Sequence, residues 1–291
     1  MKAAPFDYVR PASLAEACAI LAADEDARPI SGGQTLVPMM NMRLARPGKL
    51  VDIAHLPELG GISLKGESLL IGAAVRQAVA ERSGEVSKHV PLLAAALPWV
   101  GHQPTRNRGT VGGSVANADP AAEIPLVLVT LGGSIRATGT GGTRDIAARD
   151  FFEGLMATAL EDGELVCALS FPVWSEKRIG TGFHEISARK SDFAYVSAAA
   201  QVAVDDTGTC TRCVLGLGSA APVPVFLATA SAMVSAGVTD RSEITAALAT
   251  DVAALDVMTD GHASEAYRRR VALTLAQRAL DDALDAAGLK I

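Results

Sequence analysis

Apolar residues in this chain come mostly in short runs closed by glycine or proline, and longer runs with helical spacing appear at only a few places. Ser13-Leu14-Ala15-Glu16 pairs a capping hydroxyl with an acid three residues on. It predicts a helix running to about residue 23. The runs at 28–30, 50–53 and 69–72 are short enough for strands. Residues 92–100 and 125–131 read as helices, the second short and buried. Five glycines crowd residues 132–142 around Ile135, which predicts a hairpin there. A strand follows at 164–171, and 172–177 has a linker's composition. Beyond it the pattern predicts strands at 182–188, 198–204 and 210–216, then three helices. The last spans 264–287, carries Tyr267, Val271, Leu275, Leu280 and Leu284 at near-helical spacing, and stops at Gly288. Arg268-Arg269-Arg270 reads as its solvated face. The order is mixed, an α+β chain with no internal repeat.

Composition narrows the class. At 291 residues there is room for two or three domains. Hydrophobic residues are 49% and aromatics 4%, which fits a globular protein packed with small side chains. A net charge of −6 argues against nucleic acid as the main partner. Residues 1–7 lack an apolar core, so no secretory signal and a cytoplasmic location are expected. The long uncharged stretch 213–239 is broken by its glycines and by Pro222 and Pro224, so it reads as strand, turn and helix rather than a membrane span. The four cysteines are Cys18, Cys167, Cys210 and Cys213. Only the last two have a metal-like spacing, and no second pair completes a site. In an extended segment that spacing puts their side chains on opposite faces, so ordinary strand cysteines are expected and no metal site.

Candidate chemistry concentrates in two glycine doublets about eighty residues apart. The first is Ser31-Gly32-Gly33-Gln34-Thr35, between Ile30 and Leu36. The second is Thr110-Val111-Gly112-Gly113-Ser114, with Asn117-Ala118-Asp119-Pro120 behind it. Without Cβ atoms, such loops let backbone N–H groups approach a phosphate. Two of them can hold the two phosphates of one dinucleotide. Neither is a Walker A motif, and neither is G-x-G-x-x-G. A doublet alone is usually a turn; the pair, flanked by hydroxyls, is more specific. Asn117 and Asp119 read either as turn chemistry, bonding local backbone, or as a turn laid against the cofactor. No Ser-His-Asp, Cys-His or HExxH constellation is present.

The stretch GHQPTRNRGTVGGSVANADPAAEIP, with FDYVRPASLAEACAIL and PISGGQTLVPMMNMRLARPGKLVDI, resembles the FAD-binding (medium) subunit of the molybdenum hydroxylases. That family includes carbon monoxide dehydrogenase, xanthine dehydrogenase and N-heterocycle hydroxylases. The resemblance covers nearly the whole chain. It implies a two-part FAD-binding fold of the PCMH/vanillyl-alcohol-oxidase type, with subdomains at 1–56 and 57–175. A C-terminal α+β domain of the carbon monoxide dehydrogenase flavoprotein type is expected at 178–288.

In such proteins the two glycine loops wrap the FAD pyrophosphate. Here the resemblance places Ile30, Ser31, Gly32, Gly33, Gln34, Thr35, Leu36, Thr110, Val111, Gly112, Gly113 and Ser114 at the cofactor. Gln34 and Ser114 stand where many members have His and Asn. Glu123 aligns with an acid, often Asp, that contacts the ribose or nearby groups. Arg189-Lys190-Ser191-Asp192-Phe193 resembles the flavin-facing edge of the C-terminal domain. Lys190 and Asp192 belong to that edge, with Phe193 as the ring over the isoalloxazine and Tyr195 as its nearest substitute; the other reading is a core Phe193 and a solvated Lys190. Arg106 and Arg108 read as balancing the pyrophosphate charge or as surface residues, and His102 as a bystander, since relatives hold FAD without a covalent link.

The resemblance also implies partners. A large subunit holds the molybdenum cofactor, and a small subunit holds two 2Fe–2S clusters. Electrons reach FAD in this chain and leave to an external acceptor, in a heterotrimer that is itself doubled. Two other readings stay open: a stand-alone FAD oxidase of the same fold, and a nucleotide bound as a regulatory ligand.

Overall fold

The computed structural model describes residues 2–289. Three sheets organise the chain. The first is small and parallel, with Lys49–Asp52 in the middle, flanked by Asp7–Val9 and Ala27–Ile30. The connection from Ala27–Ile30 to its neighbour Lys49–Asp52 carries the first glycine doublet and a short helix, Leu36–Asn41. The doublet therefore leaves the C-terminal end of a parallel strand, where open sheets of this kind bind ligands.

The second sheet is antiparallel, in the order Ile62–Lys65, Ser68–Gly72, Leu165–Pro172, Ser134–Gly139, Gly142–Ala147. It holds the expected hairpin, whose second strand continues to Ala147. The third is also antiparallel: Arg178–Ile186, Val196–Val204, Cys210–Gly218 and Val225–Phe226. All nine residues of Val196–Val204 are buried. The reason is cover on both faces: Pro91–Ala96 and Glu123–Leu131 lie on one, and the 22-residue helix Glu265–Ala286 on the other. The long helix comes close because of a glycine. A Cβ on Gly182 would stand 2.0 Å from the carbonyl oxygen of Ala279. The third sheet thus packs its Phe183 and Ala199 into the same core as the second sheet.

Several expectations are corrected by local physics. The first helix, Leu14–Ala23, has Ser13 as its N-cap, accepting from Glu16 N at 3.2 Å. The Glu16 carboxylate closes the box one residue early, on Ala12 N at 2.6 Å. The helix expected at 92–100 ends at Ala96, and a 3₁₀ turn, Leu97–Trp99, follows, because Pro98 lacks the N–H that would continue it. The second doublet is not an open loop: it forms the first turn of a helix, Val111–Asn117.

Cys210 and Cys213 do not point to opposite faces. The ladder slips between Ala203 and Val204, so one extra residue intervenes on the cysteine strand, and both thiols enter the core shared with the long helix. Arg268 is not solvated either. It is 2% exposed, the largest fully buried side chain among the described residues. Among those residues no helix is long and apolar enough to cross a membrane.

Candidate functional site

Gly32 brings the two glycine segments together. A Cβ there would lie 2.6 Å from Arg108 O and 2.7 Å from Gly109 Cα, so the first segment can rest on the backbone entering the second only as glycine. Gly33 then turns the chain in the left-handed region, at φ +69°. Among the described residues, no backbone N–H from 31 to 35 donates a hydrogen bond within the protein. The Gln34 side chain folds back, its Nε2 donating to Gly32 O at 3.1 Å. The result is a run of amides without an internal partner at a strand end, an arrangement that can hold an anion.

The second segment is built differently. Its amides from Val111 to Ser114 are spent: Val111 N on Val75 O, Gly112 N on Ala73 O at 3.0 Å, Gly113 N on Thr110 Oγ1 at 3.1 Å, Ser114 N on Thr110 O. Thr110 is the N-cap. A Cβ on Gly112 would stand 2.4 Å from Ala73 Cβ and 2.5 Å from its Cα. The glycine lets the helix press onto the end of the Ser68–Gly72 strand.

Between these segments opens a cavity of about 620 Å³. All the residues expected at the cofactor line it, apart from Val111 and Lys190. Val111 is fully buried behind the wall, and Lys190 is exposed off it. Phe193 stands on the wall with 76% of its surface exposed, while Tyr195 is turned away and stacks on His262. Asp192 pairs with Arg189 at 3.1 Å. In the turn at 117–120, Asp119 Oδ1 accepts from Ala121 N at 2.9 Å, Ala118 is left-handed at φ +49°, and Asn117 and Asp119 line the cavity.

Burial dominates the electrostatics of the far wall. It raises the Asp119 carboxyl, and it pushes Glu123 up to about 7, with the charge of Asp119 adding to the effect. Glu185, one strand away, is pushed up to about 8 by burial and then by Glu123. The amide cradle at one end is electropositive, and the carboxyls at the other can accept from hydroxyl groups. Arg106 takes neither of the roles open to it. It is buried, pairs with Glu81 at 2.8 Å and donates to Val100 O and Gly101 O, so it fixes the chain that enters the second segment. Arg108 lies behind the first segment, beside Arg76 and Tyr8, in a separate cavity of about 450 Å³. His102 is on the wall of the larger cavity.

Two parts of the wall left little trace in the sequence. Gln77 is 5% exposed, with Nε2 3.5 Å from Thr110 O and Oε1 without a partner. Leu165 and Val166, at the start of a core strand, close another side. Nothing distinguishes either from ordinary core positions along the chain; an isolated glutamine in an alanine-rich stretch is the only clue.

FAD fits these residues. Ser31, on the wall, carries a buried Oγ with no hydrogen-bond partner. Beside it lie the unspent amides of 31–35. A nucleotide diphosphate supplies the acceptors that such groups lack.

Comparison with known proteins agrees. Residues 4–174 match the family described as the FAD binding domain in molybdopterin dehydrogenase, and residues 181–283 match the CO dehydrogenase flavoprotein C-terminal domain. The chain is 36% identical to the 6-hydroxypseudooxynicotine dehydrogenase complex subunit alpha of Paenarthrobacter nicotinovorans, over 98% of this chain and 96% of that one. It is 33% identical to the carbon monoxide dehydrogenase medium chain of Afipia carboxidovorans, over 96% of each. Its fold superposes on a chain of the reconstituted CO dehydrogenase from Oligotropha carboxidovorans with a TM-score of 0.93, at 32% identity, covering 98% of this chain and 99% of that one.

Proposed function

The chain belongs to the FAD-binding medium subunits of the molybdenum hydroxylase family, and from that premise we propose that it relays electrons from the 2Fe–2S clusters of a small partner subunit, through FAD, to an external acceptor. It is an oxidoreductase subunit and FAD is its cofactor. In this reading the substrate is oxidised on a large molybdenum-cofactor subunit, and the three chains form a heterotrimer, doubled in the full assembly. All four cysteines are free and buried, which suits a reducing compartment, and we place the assembly in the cytoplasm.

Bound FAD supplies the redox chemistry. The chain's residues bind, orient and shield it. We assign the diphosphate to the amides of 31–35 and the Ser31 hydroxyl, flanked by Ile30 and Leu36. Thr110, Gly112, Gly113 and Ser114 form the opposing wall. Asn117, Asp119 and Glu123 face the hydroxyl-bearing part of the cofactor. Phe193 covers the flavin, with Asp192 holding its segment. Domain limits of 1–56, 57–175 and 178–288 go with this assignment.

The observation that carries the reading is the pairing of unspent amides with an orphaned hydroxyl on one cavity wall. The test uses protein purified from its native host through a tag on this chain. Flavin with iron and molybdenum, beside one larger and one smaller partner, is the expected result. A lone flavin-bearing chain that oxidises substrate unaided would overturn the relay, and a chain without flavin would overturn the site.

A further inference from the structure

Arg268 sits in the first turns of the long helix, yet its side chain leaves the solvent entirely. A buried guanidinium is costly unless its donors are met; here both terminal nitrogens are met and Nε has no partner. Nη2 pairs with Asp260 Oδ2 at 2.5 Å, and Asp260 is itself held by His262 N and Ala263 N at 2.8 and 2.9 Å. Nη1 donates to two carbonyls, Tyr195 O and Ser219 O, the second at 2.6 Å. Neither acceptor belongs to the core of the long helix.

Tyr195 is two residues past Phe193. Ser219 is a left-handed non-glycine, φ +59°, and it holds both walls of the cavity. Its Oγ donates to Ala194 O at 2.6 Å, next to Phe193. Its N–H donates to Pro120 O at 2.8 Å, between Asp119 and Glu123. One forked cation therefore reaches the Phe193 segment directly, and through Ser219 it reaches the 117–123 turn, another part of the cavity wall. A planar fork can do this where a single ammonium cannot.

We infer that Arg268 and Ser219 form a buried hub that sets the Phe193 segment against the 117–123 wall, and so fixes how tightly the flavin is enclosed. Neither residue lines the cavity; both are positioning residues. The inference rests on the cavity being the flavin site.

The test compares the FAD-loaded protein with Arg268→Lys and Ser219→Gly variants, using Arg136→Ala, in an exposed ion pair, as reference. Glycine keeps the left-handed backbone and removes only the hydroxyl's bond. Four quantities are read: iodide quenching of flavin fluorescence, the flavin midpoint potential, the FAD dissociation constant, and the melting temperature of the same protein stripped of FAD. Ser219→Gly is expected to weaken FAD retention roughly tenfold. It should also raise iodide quenching and shift the potential, while the stripped protein melts within a few degrees of the parent. Arg268→Lys should move the first two further in the same direction. A lowered melting temperature with quenching and potential unchanged would make the hub a purely structural bond and overturn the inference. If Arg268→Lys does not fold, Ser219→Gly alone decides. If the parent protein takes up no FAD, the reading of the cavity fails instead.

Discussion

The two glycine doublets look alike in sequence and do opposite things in the structure. At 31–35 glycine serves the ligand side: Gly33 adopts a left-handed turn and the amides stay unspent. At 110–114 glycine serves the protein side: Gly112 lets a helix seat on Ala73, and every amide from Val111 to Ser114 is consumed. A residue without a Cβ permits close approach, but the pattern does not say what approaches. Here one doublet leaves its amides without an internal partner and the other admits a neighbouring strand end. Gly32 joins the two, because it alone lets the first segment touch the backbone at Arg108 and Gly109.

Breaking the protein-side doublet should have the largest effect. Gly112→Val drives a branched Cβ into the Ala73 backbone, and we expect a loss of about 3 kcal/mol or more. The loss should appear in denaturant unfolding of protein stripped of FAD, since the clash is internal. If stripped Gly112→Val protein unfolds like the parent and only FAD uptake suffers, the doublet faces the phosphates after all.

The ligand-side doublet should behave in reverse. Ser31→Ala removes a buried hydroxyl with no partner inside the protein. Stripped protein should be unchanged or slightly more stable, while the FAD dissociation constant rises about tenfold, roughly 1.4 kcal/mol. Titration of the stripped protein with FAD measures it. Thr110→Ala comes next: losing the cap on Gly113 N should cost about 1 kcal/mol of folding stability, with a small loss of FAD binding following from the frayed helix. A large FAD defect with no change in unfolding would place the hydroxyl on the cofactor instead.

The last test is a pH slope at the far wall. Burial lifts Glu123 from 4.5 to about 7, so between those values the folded protein binds a proton that the unfolded chain releases. Stability of the stripped protein should therefore fall as pH rises from about 4.5 to about 7. Glu123→Gln should flatten part of that slope in melting curves recorded across the window. Glu185 and Asp119, whose carboxyls burial also raises, contribute to what remains. A slope identical in parent and variant would remove Glu123 from the account.

Much of the architecture could be read directly. Short apolar runs closed by glycine or proline marked the strands, and the Ser13-Glu16 spacing marked a helix start that lies where expected, with Ser13 as the cap before Leu14. The last helix, with Gly288 left-handed just behind it, was equally plain. Arg268-Arg269-Arg270 was misleading for a physical reason: three adjacent cations on a helix are usually solvated, and only a long-range set of carbonyls and Asp260 makes burial of the first one tolerable. The cysteine pair misled because a one-residue ladder slip cannot be seen in the chain that carries it.

By itself the sequence determined the segments: where strands and helices lie, which two glycine-rich stretches carry unusual backbone, and the family in which such stretches hold FAD. Those are local properties, set by side-chain period, caps and the absence of Cβ. Only the tertiary structure decided which amides remain unspent, that Gln77 and the Leu165 strand end join the wall, and that Arg268 is spent inside the protein. Each of those depends on a partner far away along the chain, and hydrogen-bond satisfaction is settled only when distant backbone arrives.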